Sequence, residues 1–163
     1  MLVREEEAAS RVAAARERGL RVGFTCGVFD LVHAGHADYL RAARRRCDLL
    51  VVAVNDDASV ARLKGEGRPI VPFAERAEVV DAFRAVDLVL ALPDDRPTRL
   101  IRLLRPDLYV KGGDYDLSRL GSAPEVEGYG GEVLVIPVRH DRSSRHILRR
   151  LEELEAGGGE GGG

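Results

Sequence analysis

Two histidines, His33 and His36, stand three residues apart at a point where the chain could bind an anion. An imidazole can donate a hydrogen bond to a phosphate oxygen whether it is neutral or protonated. Two glycines, Gly27 and Gly35, accompany the histidines, and glycine lets the backbone come close to a ligand. These residue types in this order predict a phosphate-binding loop with two histidine donors.

The elements on either side of this loop would position the histidines. A short apolar run over residues 20–25 predicts a buried strand, and Ala37, Leu40 and Ala43 recur at helical spacing after the loop. The predicted helix starts near Gly35, so its free N–H groups and the positive end of its dipole would face the loop. A strand, a loop and a helix in this order indicate an α/β unit.

The loop contains Gly27-x-Phe29-Asp30 followed by His33-Ala34-Gly35-His36. This pattern resembles the HxGH nucleotidyltransferases, which join a nucleotide to a phosphorylated small molecule and release pyrophosphate. Two other interpretations are weighed beside it. A His-x-x-His pair can be a surface or capping pair, or part of a zinc site. A zinc site needs three or four ligands, and only Cys26 lies near in sequence.

Composition narrows the class of protein. The chain has 163 residues, which is the size of one domain, and 45% of them are apolar. Its net charge of −2 argues against a protein that mainly grips nucleic acid. No apolar run reaches transmembrane length, and the charged N-terminus does not resemble a signal peptide. Two cysteines suit a reducing compartment, so we expect a cytoplasmic protein with small-molecule substrates and no nucleic-acid or membrane partner.

The two lysines are conspicuous because the chain otherwise uses arginine. Of 25 basic residues only Lys64 and Lys111 are lysine, and both precede glycine. A lysine carries a compact charge on a flexible stem, which a planar guanidinium cannot replace. Chance could also place two lysines in this way. We interpret both as candidate phosphate-binding or nucleotide-binding residues.

Five apolar runs alternate with helical segments along the chain. The runs cover residues 20–25, 48–54, 86–92, 107–110 and 132–138. This alternation predicts an α/β protein with a Rossmann-like, doubly wound, five-stranded parallel sheet and helices on both faces. We expect an N-terminal helix within 1–19, one nucleotidyltransferase domain over 20–155, and a disordered glycine-rich tail over 156–163.

The glycine-rich and basic loops follow the carboxyl ends of the predicted strands. The histidines follow the first strand, Lys64 and Arg68 follow the second, and Lys111 follows the fourth. Ligands of such sheets bind outside the carboxyl ends of the strands, where the strand order reverses. These loops are therefore predicted to meet at one edge of the sheet.

Further strings extend the resemblance over residues 21–151. They are Val54-Asn55-Asp56-Asp57-Ala58-Ser59-Val60, Leu63-Lys64-Gly65, Arg68-Pro69, Glu75-Arg76-Ala77, Val86-Asp87, Pro106-Asp107 and Val110-Lys111-Gly112-Gly113-Asp114-Tyr115. Together they are similar to the adenylyltransferase half of the bacterial bifunctional heptose kinase/adenylyltransferases. That half makes ADP-heptose from D-glycero-β-D-manno-heptose 1-phosphate and ATP. The kinase half is not found here, so we expect a stand-alone transferase.

The resemblance implies roles for particular residues. His33, His36 and Lys64 would be catalytic, and Arg68 and Arg145 would contact the phosphate of the sugar. The nucleotide would be bound by Thr25, Gly27, Phe29, Gly35, Lys111, Gly112, Gly113, Asp114, Ser143 and Ser144. No protein ligand to a metal is implied, because Mg²⁺ would be held mainly by the triphosphate of ATP.

Two positions depart from the family pattern. Cys26 stands where the family usually has asparagine, and Ser143-Ser144-Arg145 stands where it has a Ser-Thr-Thr-like run. Both departures leave the sugar phosphate open. Asp30 is expected to hold the loop by backbone hydrogen bonds rather than to bind metal, and both cysteines are expected to be small fillers.

Other functions remain as alternatives. One is a cytidylyltransferase of the same fold acting on glycerol 3-phosphate or a similar phosphorylated polyol. Another, of a different class, is a non-catalytic nucleotide-binding module. We also expect a homo-oligomer, with a dimer as the first choice.

Overall fold

A computed structural model describes residues 1–113, 121–137 and 144–157 of the chain. Within these residues, helices and strands alternate as the sequence predicts. The helices are α1 (Glu5–Glu17), α2 (Ala34–Arg44), α3 (Asp57–Lys64), α4 (Phe73–Asp81), α5 (Thr98–Leu104), α6 (Ala123–Glu127) and α7 (Ser144–Gly157). The strands are β1 (Val22–Gly27), β2 (Leu49–Asn55), β3 (Leu88–Leu92), β4 (Leu108–Gly112) and β5 (Glu132–Ile136). Of the glycine-rich tail predicted over 156–163, residues 156 and 157 belong to α7, and the others lie outside the described residues.

The strands form one parallel sheet in the order β3-β2-β1-β4-β5. The order runs outward from β1 in both directions, so it reverses between β1 and β4. This confirms the predicted α/β class with a Rossmann-like parallel sheet. The point of reversal lies beside the carboxyl end of β1, where the two histidines follow.

Side chains alternate between two apolar layers, one on each face of the sheet. On β2, Val51 and Ala53 enter the layer beneath α1 and α5, whereas Leu50, Val52 and Val54 enter the layer beneath α2 and α4. All five are completely buried. Burial on both faces explains why the strands read as continuous apolar runs.

The helix α1 packs on this sheet. It contacts α5, β1 and β3, and it buries Ala8, Val12 and Ala15. Gly19 follows its end with φ of 70°, a left-handed conformation that suits glycine after a helix. The buried face of α1 therefore serves packing within the chain.

Two strands run further than the sequence predicts, and both extensions matter for the site. β1 continues through Cys26 to Gly27, which pairs with Val54. β4 continues through Lys111 and Gly112, whose partners in β5 are Val135 and Ile136. Our placement of Lys111 and Gly112 in a loop after the fourth strand is therefore wrong. The ladder with β5 holds these two residues in strand conformation.

The boundaries near residue 85 also differ from the prediction. The helix α4 ends at Asp81, where the chain closes a turn in which the N–H of Phe83 donates to the carbonyl of Val80 at 3.2 Å. The third strand begins at Leu88, because the Asp87 carboxylate accepts the N–H of Leu50 at 2.7 Å.

The N-terminal residues pair with the edge of the sheet, which the sequence did not indicate. Leu2 forms an isolated parallel bridge with Val89, and the N–H of Val3 donates to the carbonyl of Val89 at 2.9 Å. This short segment covers the free edge of β3. None of the described helices is long and apolar enough to cross a membrane.

Candidate active site

A cavity of about 200 Å³ opens at the carboxyl ends of β1 and β4, where the strand order reverses. Its position agrees with the general location of ligand sites in open parallel sheets. The pairing of β1 with β4 stops at Thr25 and Val110, and the cavity lies beyond that pair. The described residues that line it are Cys26, Gly27, Val28, Phe29, His33, Gly35, His36, Tyr39, Lys111 and Gly112.

The two histidines form a reciprocal cap at the start of α2. His33 is the N-cap residue, and its Nδ1 accepts the backbone N–H of Gly35 at 3.2 Å. The Nδ1 of His36 accepts the backbone N–H of His33 at 3.3 Å. This arrangement is a capping box in which imidazoles replace the usual hydroxyl and carboxylate. The capping interpretation weighed for the sequence is therefore correct, and it coexists with a place in the cavity wall.

The cap fixes which ring nitrogen carries the proton. Because each Nδ1 accepts a backbone N–H, the proton of each neutral ring is on Nε2. Burial, assisted by the neighbouring His33, lowers the pKa of His36 from its ordinary 6.5 to about 4. His36 is therefore neutral at pH 7 and offers an Nε2–H donor.

The loop between β1 and α2 has an unusual backbone. Phe29 and Leu31 have φ of 53° and 54°, which are left-handed values that side chains larger than hydrogen rarely adopt. Such residues persist only where the surrounding structure holds them, and they concentrate at functional sites. The Phe29 ring lies 5.4 Å from the ring of His36, so this strained segment directly contacts the histidine pair.

Asp30, between these two residues, ties the loop to the segment that precedes α4. Its carboxylate is 2% exposed and accepts the backbone N–H groups of Ile70 and Val71, each at 3.0 Å. The expectation that Asp30 holds the loop by backbone hydrogen bonds is confirmed. The Arg68 guanidinium donates to the same carboxylate at 2.9 Å and 2.6 Å. Burial alone would raise the pKa of Asp30, but these three partners hold it below its ordinary value.

Arg76 crosses beneath the same loop. Its side chain is 1% exposed, and its guanidinium donates to three carbonyl oxygens and one carboxylate. The acceptors are the carbonyls of Val71 at 2.7 Å, Val28 at 2.5 Å and Asn55 at 2.8 Å, and the Asp57 carboxylate at 2.7 Å. A single side chain thus joins the histidine loop, the end of β2, the start of α3 and the segment before α4.

Lys111 reaches across the cavity to β1. Its Nζ donates to the carbonyl oxygen of Cys26 at 3.1 Å and lies 3.5 Å from the Cys26 sulfur. Cys26 is buried, as expected of a filler, but it is also part of the cavity wall. Lys111 therefore places a cation in the same cavity as the two imidazoles.

The structure brings most of the predicted site residues together. Gly27, Phe29, His33, Gly35, His36, Lys111 and Gly112 line the cavity. Thr25 lies beneath it, in hydrogen-bond contact with Tyr39. Gly113 follows β4 with φ of 117°, and its N–H donates to the carbonyl of Ile136 at 3.0 Å.

Other predicted residues lie apart from the cavity or outside the described chain. Lys64 ends α3, is exposed and is not part of the described lining. Arg68 is engaged with Asp30, so it would have to leave that carboxylate to bind a substrate. Asp114 and Ser143 are outside the described residues, and only the backbone of Ser144 and Arg145 is described, at the start of α7.

The part of the chain that forms this site matches a known protein family. Residues 24–151 match the cytidylyltransferase-like family. The chain belongs to the cytidylyltransferase-like family. Membership makes it a nucleotidyltransferase, and the matched range contains β1 from Phe24 onward, the histidine loop and the described lining of the cavity.

Relatives within the family share nearly the whole chain. It is 48% identical over 155 residues to the bifunctional protein HldE of Gluconacetobacter diazotrophicus, with 95% of this chain and 32% of that protein covered. It is 47% identical over 153 residues to the HldE protein of Shigella sonnei, with 94% and 32% covered. The chain thus spans about a third of the length of these relatives.

Solved structures agree on the fold. The lipopolysaccharide core biosynthesis protein of Thermoplasma volcanium GSS1 is 27% identical, with a TM-score of 0.62 over 76% of this chain and 100% of that chain. The pantoate-beta-alanine ligase of Francisella tularensis has a TM-score of 0.67 over 91% of this chain and 72% of that chain. At 13% identity, this second likeness concerns the fold alone.

Two residues of the site were missed by reasoning from sequence. Tyr39 lines the cavity, and its position three residues after His36 on a helix is a signal that could have found it. Arg76 was noted only as part of a family string. An arginine on the buried face of a helix, beside Ala77 and Val80, carries no local sign of what it binds.

The depressed pKa of His36 predicts a pH dependence of stability. Between pH 7 and pH 5 the unfolded imidazole takes up a proton, whereas folded His36 stays mostly neutral until the pH approaches 4. Stability should therefore fall in this window, by up to about 2 kcal/mol from this residue. Urea unfolding at both pH values should show that His36→Gln loses this part of the dependence.

His146→Gln is the matched control, because His146 lies exposed on α7. It should keep the wild-type pH dependence. If His36→Gln and the wild type lost the same free energy between pH 7 and pH 5, His36 would not be a buried neutral imidazole.

The four acceptors of Arg76 predict that a lysine cannot replace it. Arg76→Lys keeps the positive charge, but an ammonium group cannot bond all four acceptors that are placed around the planar guanidinium. Some of these buried acceptors would therefore lose their donors. The free energy of unfolding should fall by about 2–4 kcal/mol in urea titrations. Arg99→Lys is the control, since Arg99 also makes several charged hydrogen bonds, to the carboxylates of Glu5 and Asp94, but is 49% exposed. It should change stability by less than about 1 kcal/mol, and equal losses in both variants would contradict the role given to Arg76.

Proposed function

We propose that this chain transfers AMP from ATP to a sugar 1-phosphate, giving a nucleotide sugar and pyrophosphate. The sugar phosphate we propose is D-glycero-β-D-manno-heptose 1-phosphate, so that the product is ADP-heptose. The choice of ATP and heptose rests on the resemblance of the string from Val110 to Tyr115. The 48% identity to an HldE protein over 95% of this chain supports the same choice.

One observation carries the chemical part of the proposal. Both imidazoles are fixed by the capping box with Nε2 as the protonated position, and both line the cavity at the N-terminus of α2. The helix N-terminus adds its own positive field at the same place. Imidazole N–H donors beside a helix N-terminus suit a polyphosphate whose charge grows as a bond breaks.

The reaction is a single in-line displacement. A phosphate oxygen of the sugar 1-phosphate attacks the α-phosphorus of ATP, and the bond from that phosphorus to the bridging oxygen of the β-phosphate breaks. The bonding electrons leave with pyrophosphate, so no covalent enzyme intermediate is needed. Such chemistry depends on positioning and charge stabilisation. His36 donates its Nε2–H to the triphosphate as negative charge moves toward the leaving group.

Other residues orient and neutralise the reactants. Lys111 contributes its ammonium to the cavity from β4, opposite the histidines. Lys64 comes from the end of α3, next to Gly65 with φ of 94°, and is proposed to bring its charge to a phosphate. The described residues contain no group of three or more histidine, cysteine or acidic side chains that could hold a metal. As the family resemblance implies, Mg²⁺ would be held mainly by the triphosphate oxygens and would neutralise negative charge on the leaving pyrophosphate.

The proposed substrates and the cysteines indicate the cellular compartment. ATP and two buried free cysteines suit the cytoplasm.

The exposed side chains of Leu151 and Leu154 on α7 favour the predicted homo-oligomer. Sedimentation of the protein at several concentrations would measure its oligomeric state.

A second candidate function has its own support. The family that matches the chain is cytidylyltransferase-like, so transfer of CMP from CTP to glycerol 3-phosphate or a similar polyol phosphate is the alternative. The described lining supplies hydrogen-bond donors for phosphate oxygens. None of these residues is assigned to the base, so the lining fits ATP and CTP equally.

A matrix of nucleotides and phosphorylated acceptors tests the proposal. ATP, CTP, GTP and UTP are each mixed with Mg²⁺ and either heptose 1-phosphate, glucose 1-phosphate or glycerol 3-phosphate. Pyrophosphate release is then measured. ATP with heptose 1-phosphate should give the highest kcat/KM. Equal or better turnover with CTP would overturn the base assignment, and no release from any pair would indicate a nucleotide-binding module.

The lysine at position 64 gives a sharper test of the phosphate-binding residues. Lys64→Arg should lower kcat/KM by about tenfold or more, equivalent to about 1.4 kcal/mol, because the larger guanidinium imposes fork geometry on its phosphate. Arg149→Lys on exposed α7, whose side chain is 75% exposed, is the control and should leave kinetics unchanged. Wild-type constants for Lys64→Arg would show that this lysine is incidental.

A further inference from the structure

Tyr39 occupies a position that the proposed mechanism has not used. It lies on α2, three residues after His36, and is only 7% exposed. Residues at this spacing share one face of a helix. Tyr39 therefore lies directly below the histidine pair, and it lines the same cavity.

The hydroxyl of Tyr39 joins the two central strands. It donates to the carbonyl oxygen of Val110 on β4 at 3.0 Å and is in hydrogen-bond contact with the hydroxyl of Thr25 on β1. The hydroxyl has a single proton, and a carbonyl can only accept. Thr25 is consequently the donor in the second contact, so both hydroxyl groups have a defined direction.

These contacts fall at the last point where β1 and β4 pair. Thr25 and Val110 are register partners, and the two strands separate beyond them to form the cavity. One tyrosine hydroxyl thus links the histidine helix to both strands at the place where they diverge.

The ring of Tyr39 also packs against Gly112 at the end of β4. A Cβ added to Gly112 would lie 2.7 Å from a ring carbon of Tyr39, which is closer than van der Waals contact allows. Glycine at this position lets β4 pass tightly against the ring. The ring therefore sets the separation of α2 from the end of β4, where Lys111 is held.

We propose that Tyr39 is a positioning residue that fixes the histidine pair relative to Lys111 and Gly112, and so aligns the triphosphate for attack. The inference rests on the proposed nucleotidyl transfer. Tyr39 acts through the elements that it joins, since its hydroxyl is committed to Val110 and Thr25.

A loss of alignment should affect the chemical step more than binding. Displacements of about 1 Å in a positioned reactant can cost about 10²-fold in rate. Tyr39→Phe keeps the ring against Gly112 and removes only the hydroxyl. We expect kcat to fall ten- to a hundredfold, as an order of magnitude, while KM for ATP changes less than about threefold.

Tyr129→Phe is the matched control. Tyr129 also donates its hydroxyl to a backbone carbonyl, that of Pro106 at 3.0 Å, but it is not part of the described cavity lining. Both variants lose one tyrosine-to-carbonyl hydrogen bond, and Tyr39→Phe also loses the contact with Thr25, so its melting temperature should fall at least as far as that of Tyr129→Phe. Only Tyr39→Phe should lose kcat. A kcat within twofold of wild type for Tyr39→Phe, or equal losses of kcat in both variants, would overturn the inference.

A double substitution checks that the effect passes through Thr25. If Tyr39 acts by joining β1 to α2, Tyr39→Phe combined with Thr25→Val should be little worse than Tyr39→Phe alone. If the losses of kcat from the two single substitutions multiply in the double variant, the two side chains act separately, which contradicts the proposed coupling. This comparison also serves if Tyr39→Phe is less stable than expected, because each variant is measured at a temperature where it is folded.

A readout without turnover separates this inference from the proposed reaction. A non-hydrolysable ATP analogue is added to ¹⁵N-histidine-labelled protein, and the Nε2 signal of His36 is followed by NMR. The signal should shift in the wild type and in Tyr129→Phe, and should shift much less in Tyr39→Phe at saturating analogue. If the wild type binds the analogue but releases no pyrophosphate from any pair, the proposed reaction fails. A shift in Tyr39→Phe equal to that in the wild type would instead refute the coupling.

Discussion

The geometry of the site depends on the hydrogen bonds of the buried Arg76 guanidinium. A buried charge is tolerated where it is paired and hydrogen-bonded, and Arg76 has one carboxylate and three carbonyl acceptors. Its acceptors belong to separate parts of the chain, so the guanidinium can be satisfied only when these parts have come together. The charge of Arg76 is therefore stabilised only in a chain whose sheet edge is assembled.

The Asp30 carboxylate completes the same connection from the other side. Arg76 takes the carbonyl of Val71, while Asp30 takes the N–H of Val71 and of its neighbour Ile70. Both polar groups of Val71 thus serve the histidine loop. This fixed support explains how Phe29 and Leu31 keep left-handed backbone angles. The strain is held in the loop so that the cap of α2 presents both imidazoles to the cavity.

The sequence predicted the parts of this structure that depend on local pattern. Apolar runs and helical spacing located the strands, and the strand–loop–helix order placed His33 and His36 at the reversal of the sheet. Contacts between distant residues were not predictable in this way. Lys111 and Gly112 belong to a strand only because β5 pairs with them, twenty-four residues away in the register. Likewise, the capping box needed the backbone geometry of the loop, since histidine is not a usual cap.

Distance along the chain also explains which side chains were missed. Arg76 binds carbonyl groups, and a carbonyl carries no residue type that a sequence could reveal. Tyr39 reads as an ordinary apolar position on α2 until Val110 and Thr25 are known to lie beside its hydroxyl. Arg68 was expected at a substrate phosphate from the family resemblance, whereas the folded chain offers it the carboxylate of Asp30.

The account requires that His36 be neutral, with its proton on Nε2, and that this proton meet a phosphate. The most direct measurement is a long-range ¹H–¹⁵N spectrum of the histidine side chains at pH 7, recorded before and after addition of Mg²⁺ and a non-hydrolysable ATP analogue. The account predicts a neutral Nε2–H tautomer for His36 in the free protein and a shift of its Nε2 resonance on binding. An imidazolium, an Nδ1–H tautomer, or a His36 signal that saturating analogue leaves unchanged would contradict it.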